Sequence, residues 1–198
     1  MKEFGLYLHI PFCKRKCPYC GFASMTGGEV LFEDYARAVK NEIERRMTGV
    51  FSGKPHTVYI GGGTPSCYPA SLLLEIVEAI IRKVPEVTVE ANPESATEEW
   101  LGAMRCMGVN RISIGVQSLD DEILGNLGRI HTADQAVRAV ETAEMAGFRR
   151  ISADLMFGIP GQTLETWVET LKSMVELPLD HVSCYSLSLE EGTPFLTR

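Results

Sequence analysis

The chain has 198 residues, of which 45% are hydrophobic and 23% are charged, which suits a single soluble domain with one sizeable core. Its formal net charge of -7 provides no basic field for a polyanion, so we expect no nucleic-acid partner and favour a small ligand. No apolar run approaches the roughly 20 residues of a membrane helix and no leader precedes the first motif, so we predict a cytoplasmic protein with no transmembrane segment.

Short apolar runs rich in Val, Ile and Tyr alternate with longer segments of helical period, a pattern typical of repeated βα units and a mostly parallel sheet. Six runs are predicted as buried strands: 5–10, 57–60, 87–90, 111–114, 150–154 and 181–185. Right-handed crossovers curl such strands into a barrel or a doubly wound sheet, and in both the functional loops follow the carboxyl ends of the strands. An active site should therefore draw its residues from positions just after each strand.

Three segments between the strands place apolar residues at helical spacing and are predicted as helices. They are 72–84, 133–146 and 163–177. Gly147 stands where a helix is expected to stop. Ser95 with Glu98 predicts a capping box at the start of a further helix, between the third and fourth strands. Thr132 with Gln135 predicts another capping box at the start of the helix at 133–146.

The chain is predicted to form one domain. It has no low-complexity segment and no charged linker, although residues 26–28 and 52–53 are typical of loop tips. The end at Arg198 follows the sixth strand and a turn-like segment at 191–194. We therefore expect residues 1–198 to be the core domain of a longer protein.

Three of the six cysteines, Cys13, Cys17 and Cys20, lie close together directly after the first strand. In a cytosolic chain this clustering favours metal binding over disulfides, and the basic residues at 14–16 favour thiolates. A structural zinc site commonly takes four protein ligands, and no second Cys-x-x-Cys or His pair is present. A [4Fe-4S] cluster on three thiolates would leave one iron open to a substrate or cofactor. The spacing by itself leaves three alternatives, namely an iron-sulfur cluster, zinc, and structural or redox thiols.

A glycine-rich turn and a carboxylate follow the next two strands. Residues 61–66, Gly-Gly-Gly-Thr-Pro-Ser, could let the backbone approach a ligand closely or could simply form a tight turn. The segment lacks the Lys and the spacing of a phosphate-binding loop. Glu90 ends the third strand, where it could bind a ribose or an ammonium group or could be a solvated loop charge.

Further polar residues are expected at the same edge of the sheet. Gln117 follows the fourth strand, and Arg129 could pair with a carboxylate through its planar fork or be a surface charge beside a helix. Asp154 closes the fifth strand among apolar neighbours and needs a partner, unless it caps the next loop. His131 is predicted to be a satisfied loop histidine. The remaining cysteines are predicted to be small buried hydrophobic residues; they are Cys67, Cys106 and Cys184.

The segment 7–13, Tyr-Leu-His-Ile-Pro-Phe-Cys, together with the cysteine spacing, resembles the radical S-adenosylmethionine (SAM) superfamily and its oxygen-independent coproporphyrinogen III oxidase branch. The resemblance covers essentially the whole chain. It implies a partial (βα)6 barrel of parallel strands without the C-terminal domain, and a [4Fe-4S] cluster whose open iron chelates the amino and carboxylate groups of SAM. An electron from the cluster then cleaves SAM to a 5′-deoxyadenosyl radical, so an electron donor such as flavodoxin or ferredoxin is also implied.

The resemblance implies roles for individual residues. The implied cluster ligands are Cys13, Cys17 and Cys20. Positions that contact SAM in the family match Tyr7, Gly62, Gly63, Thr64, Glu90, Gln117, Arg129 and Asp154. No catalytic residue is implied beyond the cluster.

Phe22 stands where the oxidases carry a fourth cysteine, two positions after Cys20. This departure is the pattern of HemW-like relatives, which bind haem and deliver it to other proteins. We therefore expect a HemW-like haem chaperone first, with haem bound by the full-length protein and passed to a haem-accepting protein. One alternative is an oxidase, an oxidoreductase that decarboxylates the propionates of coproporphyrinogen III. Another is a zinc-stabilised binding module.

Overall fold

The computed structural model describes residues 4–49, 55–82 and 84–196, and six strands in this part form one parallel sheet in chain order. The strands are β1 (Gly5–Ile10), β2 (Thr57–Gly62), β3 (Glu86–Ala91), β4 (Arg111–Gln117), β5 (Arg150–Phe157) and β6 (His181–Ser186). All six predicted strands are confirmed, and all but β1 run past their predicted ends. Within the described residues β1 and β6 are open edges, as expected for a partial (βα)6 barrel.

Helices occupy the connections between the strands. They are α1 (Phe32–Gly49), α2 (Ala70–Ile81), α3 (Glu98–Met107), α4 (Asp121–Leu127), α5 (Ala133–Met145) and α6 (Leu164–Val175). The helices α1 and α4 have no counterpart among the predicted segments, and α3 was predicted only by a capping box at its start. The capping box of Thr132 and Gln135 is confirmed at the start of α5, and Gly147 has a positive φ of 90° just past its end. None of the described helices is long and apolar enough to cross a membrane.

Two smaller predictions have different outcomes. The box of Ser95 with Glu98 is wrong, because Thr97 caps α3 and its hydroxyl accepts a hydrogen bond from the backbone N–H of Trp100. The hydroxyl of Ser95 instead lies 2.6 Å from that of Ser66, a tertiary contact that a local pattern cannot reveal. The loop tip predicted at residues 52–53 lies outside the described residues.

Side chains along the sheet alternate between an apolar and a polar face. On the apolar face, residues such as Ile10, Ile60 and Ile112 are fully buried and form one core with the helices. The opposite face, here called the inner face, carries polar residues and glycine: Tyr7, His9, Tyr59, Gly61, Glu90, Ser113, Gly115 and Asp154. Strands of a parallel sheet are usually apolar on both faces, so this polar face indicates the side that meets a ligand.

The prediction that the remaining cysteines are buried is wrong for two of the three and only partly right for the third. Cys106 and Cys184 are exposed, and Cys67 is half-buried. Cys106 lies on α3 outside the stripe of residues that this helix buries. Cys184 lies on β6, an edge strand with no fully buried residue, so no further layer of the described chain covers it.

Candidate functional site

The cysteine loop, residues 11–25, closes on itself at the carboxyl end of β1. The backbone N–H of Cys13 donates to the carbonyl oxygen of Met25 over 2.9 Å. The N–H of Met25 in turn donates to the carbonyl oxygen of Pro11 over 2.7 Å. These backbone bonds hold the two ends of the loop against each other.

Gly63 lets the turn after β2 lie directly against the cysteine loop. Its N–H donates to the carbonyl oxygen of Ile10, and the N–H of Thr64 donates to that of Phe12, both over 2.8 Å. A Cβ atom at Gly63 would lie 2.8 Å from the oxygen of Phe12 and 3.0 Å from Sγ of Cys13. The sequence suggested that these glycines admit a ligand, but at Gly63 the close approach is already made by the protein itself.

The three cysteines of the loop are free thiols and partly exposed. Burial raises the pKa of the Cys20 thiol, while a hydrogen bond from the backbone of Phe22 and the charge of Lys16 act in the opposite direction. Nζ of Lys16 donates to the carbonyl oxygen of Phe22 and, over 2.9 Å, to the hydroxyl of Ser24. This cation therefore braces the end of the loop as well as adding positive charge beside the thiols.

Within the described residues, no three Cys, His, Asp or Glu side chains surround a point in the manner of a single-ion site. A [4Fe-4S] cluster makes a different demand, because each thiolate binds a different iron atom. It requires several cysteines on one accessible loop, together with donors that balance the negative charge of the cluster. The cysteine loop meets the first condition, and the contacts of its sulfur atoms bear on the second.

Two of the cysteine sulfur atoms accept hydrogen bonds from residues that follow other strands. The hydroxyl of Thr64 donates to Sγ of Cys13 over 3.5 Å, and Nη1 of Arg129 donates to Sγ of Cys17 over 3.6 Å. Nη2 of Arg129 also donates to Oδ1 of Asn92 over 2.8 Å and to a backbone carbonyl of β4 over 2.9 Å. Arg129 is thus a fixed cation beside the cysteines and not a surface charge. The residues present fit a negatively charged cluster.

Glu90 is held by two donors on β2 and is not a solvated loop charge. The hydroxyl of Tyr59 donates to its Oε1 over 2.7 Å, and the N–H of Gly62 donates to its Oε2 over 3.0 Å. Burial raises the pKa of Glu90, although both hydrogen bonds lower it. Gly62 has a φ of 122°, a conformation that favours glycine, so the carboxylate and the turn fix each other.

Tyr7 and Asp154 lie on the same inner face but belong to separate contacts. Tyr7 is 57% exposed, its hydroxyl lies 3.0 Å from Nδ1 of His9, and its ring stacks at 6.1 Å on that of Tyr59. Asp154 accepts a hydrogen bond from the hydroxyl of Ser113 over 3.2 Å, and burial raises the pKa of its carboxyl. The partner that Asp154 was expected to need is therefore on the neighbouring strand.

Gln117 has an unusual backbone conformation. Its φ is 67°, and it is the single residue other than glycine with a positive φ in the described part of the chain. The pairing of β4 with β5 also shifts register between Ile114 and Gln117. Such irregularities often redirect a side chain next to a binding site. The position is consistent with the predicted contact, although the sequence gives no sign of the strain.

The prediction that His131 is a satisfied loop histidine holds for one of its two ring nitrogens. His131 is buried, and its Nε2 lies 3.0 Å from the carbonyl oxygen of Val116. Its Nδ1 lies 3.4 Å from Oε2 of Glu94, but neither of these two buried atoms makes a hydrogen bond of good geometry. Burial would raise the pKa of Glu94, but the contact with His131 and the charge of Arg129 outweigh it, so the pKa is below its usual value. This pair links the segment that carries Arg129 to the loop after β3.

Three residues of the site were not among the predicted ones: Asn92, Tyr59 and Glu94. Asn92 bridges Thr64 and Arg129, and it lies only two residues after the predicted Glu90, just past the end of β3. Tyr59 could have been found from the two-residue period of β2, which places it on the inner face. No signal in the sequence points to the pairing of Glu94.

Residues 7–174 match the model of the Radical SAM superfamily, and this chain belongs to that superfamily. It is 39% identical over 204 residues to the heme chaperone HemW of Escherichia coli, covering all of this chain and 54% of the relative. It is also 39% identical over 201 residues to the mitochondrial radical S-adenosyl methionine domain-containing protein 1 of Mus musculus, covering 98% of this chain and 45% of that protein.

Among solved structures, the coproporphyrinogen III oxidase HemN of Escherichia coli, described as a radical SAM enzyme, superposes with a TM-score of 0.84 at 28% identity. The superposition covers 94% of this chain and 44% of that one. The chain spans about half the length of the curated relatives that it matches.

These comparisons confirm the resemblance to the radical SAM superfamily and to HemW-type proteins within it, and they confirm the expected fold. Membership of the superfamily confirms the expectation of a [4Fe-4S] cluster and SAM as cofactors at the level of the superfamily. The residues that hold them, the extent of the domain, the partners and the cytoplasmic location stay predictions.

Proposed function

We propose that this chain is the cluster- and SAM-binding core of a HemW-like haem chaperone, with residues 1–198 as its radical SAM domain. The observation that carries the proposal is the 39% identity to HemW of Escherichia coli along the whole chain. Haem binding and transfer would belong to the full-length protein, with a haem-accepting protein as its partner. The electron donor would be a flavodoxin or a ferredoxin.

The proposed cluster ligands are Cys13, Cys17 and Cys20. When bound, a [4Fe-4S] cluster on three cysteines supplies an iron without a protein ligand, which can coordinate the amino and carboxylate groups of SAM. The hydrogen bonds from Thr64 and Arg129 to two of the sulfur atoms support this role, because such donors stabilise negative charge on thiolates.

The proposed SAM contacts line the inner face and the strand ends; they are Tyr7, Gly62, Gly63, Thr64, Glu90, Gln117, Arg129 and Asp154. Glu90 accepts one donor on each carboxylate oxygen, which leaves lone pairs for an ammonium group of the ligand. Arg129 adds a fixed positive charge that complements a carboxylate. The glycines supply backbone groups where a side chain would not fit.

Phe22 favours the chaperone over the oxidase. Its side chain is 70% exposed at the end of the cysteine loop, at the position where the resembled oxidases carry a fourth cysteine, and a phenyl ring cannot ligate iron. The second candidate is the coproporphyrinogen III oxidase, because the fold likeness to HemN is high, with a TM-score of 0.84. Both functions would use the same cluster and the same SAM site, so they differ in what the rest of the protein binds.

Anaerobic reconstitution with iron and sulfide tests the cluster. The expected product is a brown protein with about four iron atoms per chain. Cys17→Ser should lose the colour, whereas Cys106→Ser should keep it, because Cys106 is an exposed cysteine outside the cysteine loop. Uptake of stoichiometric zinc without any uptake of iron and sulfide would refute the cluster and favour a zinc-stabilised module.

The two candidate functions are separated with the full-length parent protein. It would be incubated with coproporphyrinogen III, SAM and a reductant, and separately titrated with haem. Haem binding without formation of protoporphyrinogen would support the chaperone. Formation of protoporphyrinogen would overturn it in favour of the oxidase.

A further inference from the structure

The side chain of Asn92 links the hydrogen bonds made to two cysteine sulfur atoms into one network. Its Nδ2 donates to the hydroxyl oxygen of Thr64 over 3.1 Å, and that hydroxyl donates to Sγ of Cys13 over 3.5 Å. On its other side, Oδ1 of Asn92 accepts from Nη2 of Arg129 over 2.8 Å, and Nη1 of Arg129 donates to Sγ of Cys17 over 3.6 Å. A single amide thus lies between two of the proposed cluster ligands.

The chemistry of the neighbours fixes the orientation of this amide. A guanidinium group can only donate hydrogen bonds, so the group of Asn92 that faces Arg129 must be the oxygen. The nitrogen therefore faces Thr64 and occupies a lone pair of its hydroxyl oxygen. The hydroxyl hydrogen of Thr64 is then left to point at the sulfur of Cys13. In this way the amide directs the hydrogen bonds of both Thr64 and Arg129 towards sulfur.

The backbone of Asn92 is held independently of its side chain. Its N–H donates to the hydroxyl of Ser66 over 3.1 Å, and its carbonyl oxygen accepts from the N–H groups of Ser95 and Ala96, both over 3.0 Å. The loop after β3 therefore keeps its main contacts when the amide is removed. The side chain amide is not needed to form the loop, which leaves its contacts with Thr64 and Arg129 to be explained.

We propose that Asn92 is a positioning residue that directs the hydrogen bonds of Thr64 and Arg129 onto the cluster thiolates and so raises the reduction potential of the cluster. Donors to cluster sulfur atoms stabilise the more negatively charged, reduced state, which makes reduction easier. The inference rests on the proposed cluster ligation by Cys13 and Cys17. Asn92 itself contacts neither of these two cysteine sulfur atoms directly.

The test is an EPR-monitored redox titration of the reconstituted protein and of its variants. Asn92→Ala removes the contacts of the amide with both Thr64 and Arg129. Asn92→Asp has almost the same shape and keeps an acceptor for Arg129, but it presents an oxygen to Thr64, which draws the hydroxyl hydrogen away from Cys13. Its carboxylate also adds a negative charge that lowers the potential by itself, so the neutral variant Asn92→Ala decides the test. Asn110→Asp is the matched control, since Asn110 lies just before the amino end of β4 and contacts Pro85 and Val87.

Both Asn92 variants should take up iron like the wild type and show a midpoint potential shifted to a more negative value, with Asn110→Asp unchanged. In a Thr64→Val background the shift in potential caused by Asn92→Ala should become smaller, because the hydroxyl that donates to Cys13 is already missing. An unchanged potential in Asn92→Ala would overturn the proposal, and so would an equal shift in Asn110→Asp. A wild-type protein that takes up no iron and sulfide would instead refute the proposed function on which it rests.

Discussion

Replacing Gly63 with alanine tests whether the cysteine loop depends on the turn after β2. The new Cβ would lie 2.8 Å from the carbonyl oxygen of Phe12 and 2.9 Å from the carbonyl carbon of Pro11. Because both are backbone atoms, one of the two chain segments must shift. Forcing an extra methyl group into such packing costs about 1–3 kcal/mol. In a protein of this size each kcal/mol corresponds to roughly 2–4 °C, so Tm should fall by roughly 2–12 °C.

Thermal unfolding followed by circular dichroism measures this effect, with Gly102→Ala as the control. A Cβ at Gly102, inside α3, would meet no atom within 4 Å, and replacing a helix glycine with alanine stabilises by about 0.5–1 kcal/mol. The control should therefore raise Tm. Since the methyl group at Gly63 would also lie 3.0 Å from Sγ of Cys13, Gly63→Ala should bind less iron after reconstitution. A variant with the wild-type Tm and a full iron content would show that this reasoning is wrong.

Three further predictions concern Gln117 and two carboxylates. Gln117→Gly should be about 1 kcal/mol more stable than Gln117→Ala in calorimetry, because glycine relieves the positive φ, and equal stabilities would contradict the strain. The raised pKa of Glu90 means that ionisation of its buried carboxyl lowers stability as pH rises through the usual carboxyl range, so Glu90→Gln should gain stability relative to wild type between pH 4 and pH 7. Glu94 has a lowered pKa, so its contribution is present above the usual carboxyl range and is lost as pH falls through the folded-state pKa. Glu94→Gln should then be less stable than wild type at pH 7, and the difference in stability should shrink as pH falls, as measured by urea unfolding.

The sequence predicts the strands well because each contains a β-branched or aromatic run between helical segments. It underestimates their carboxyl ends, since glycines such as Gly61 and Gly115 have low β propensity although the sheet keeps them extended. It misassigns one helix cap, because Ser95 fits the local capping pattern but its hydroxyl contacts Ser66 from another loop. These errors arise where a contact between distant segments outweighs a local preference.

The site could be predicted as a set of residues but not as a set of contacts. The rule that functional residues follow the carboxyl ends of parallel strands correctly brings Thr64 to the cysteine loop, whereas Arg129 reaches the loop from the end of α4. It does not indicate which side chain lies between them, so Asn92 was missed. The end of a strand specifies the backbone position of a residue, whereas the contacts of its side chain depend on side-chain length and on the twist of the sheet.

The cysteine loop also takes its shape from residues that lie far away in the sequence. On one side, a Cβ at Gly63 would touch Sγ of Cys13, and on the other a Cβ at Gly128 would lie 2.7 Å from Cδ of Pro18. Gly128 ends α4 with a φ of 73°, and Arg129 directly after it reaches a cysteine 112 residues earlier in the chain. Only the order of the strands in the sheet brings these segments together. The cysteine spacing therefore determines which sulfur atoms the loop offers, whereas Gly63 and Gly128, which are distant in the sequence, leave room for the loop on its two sides.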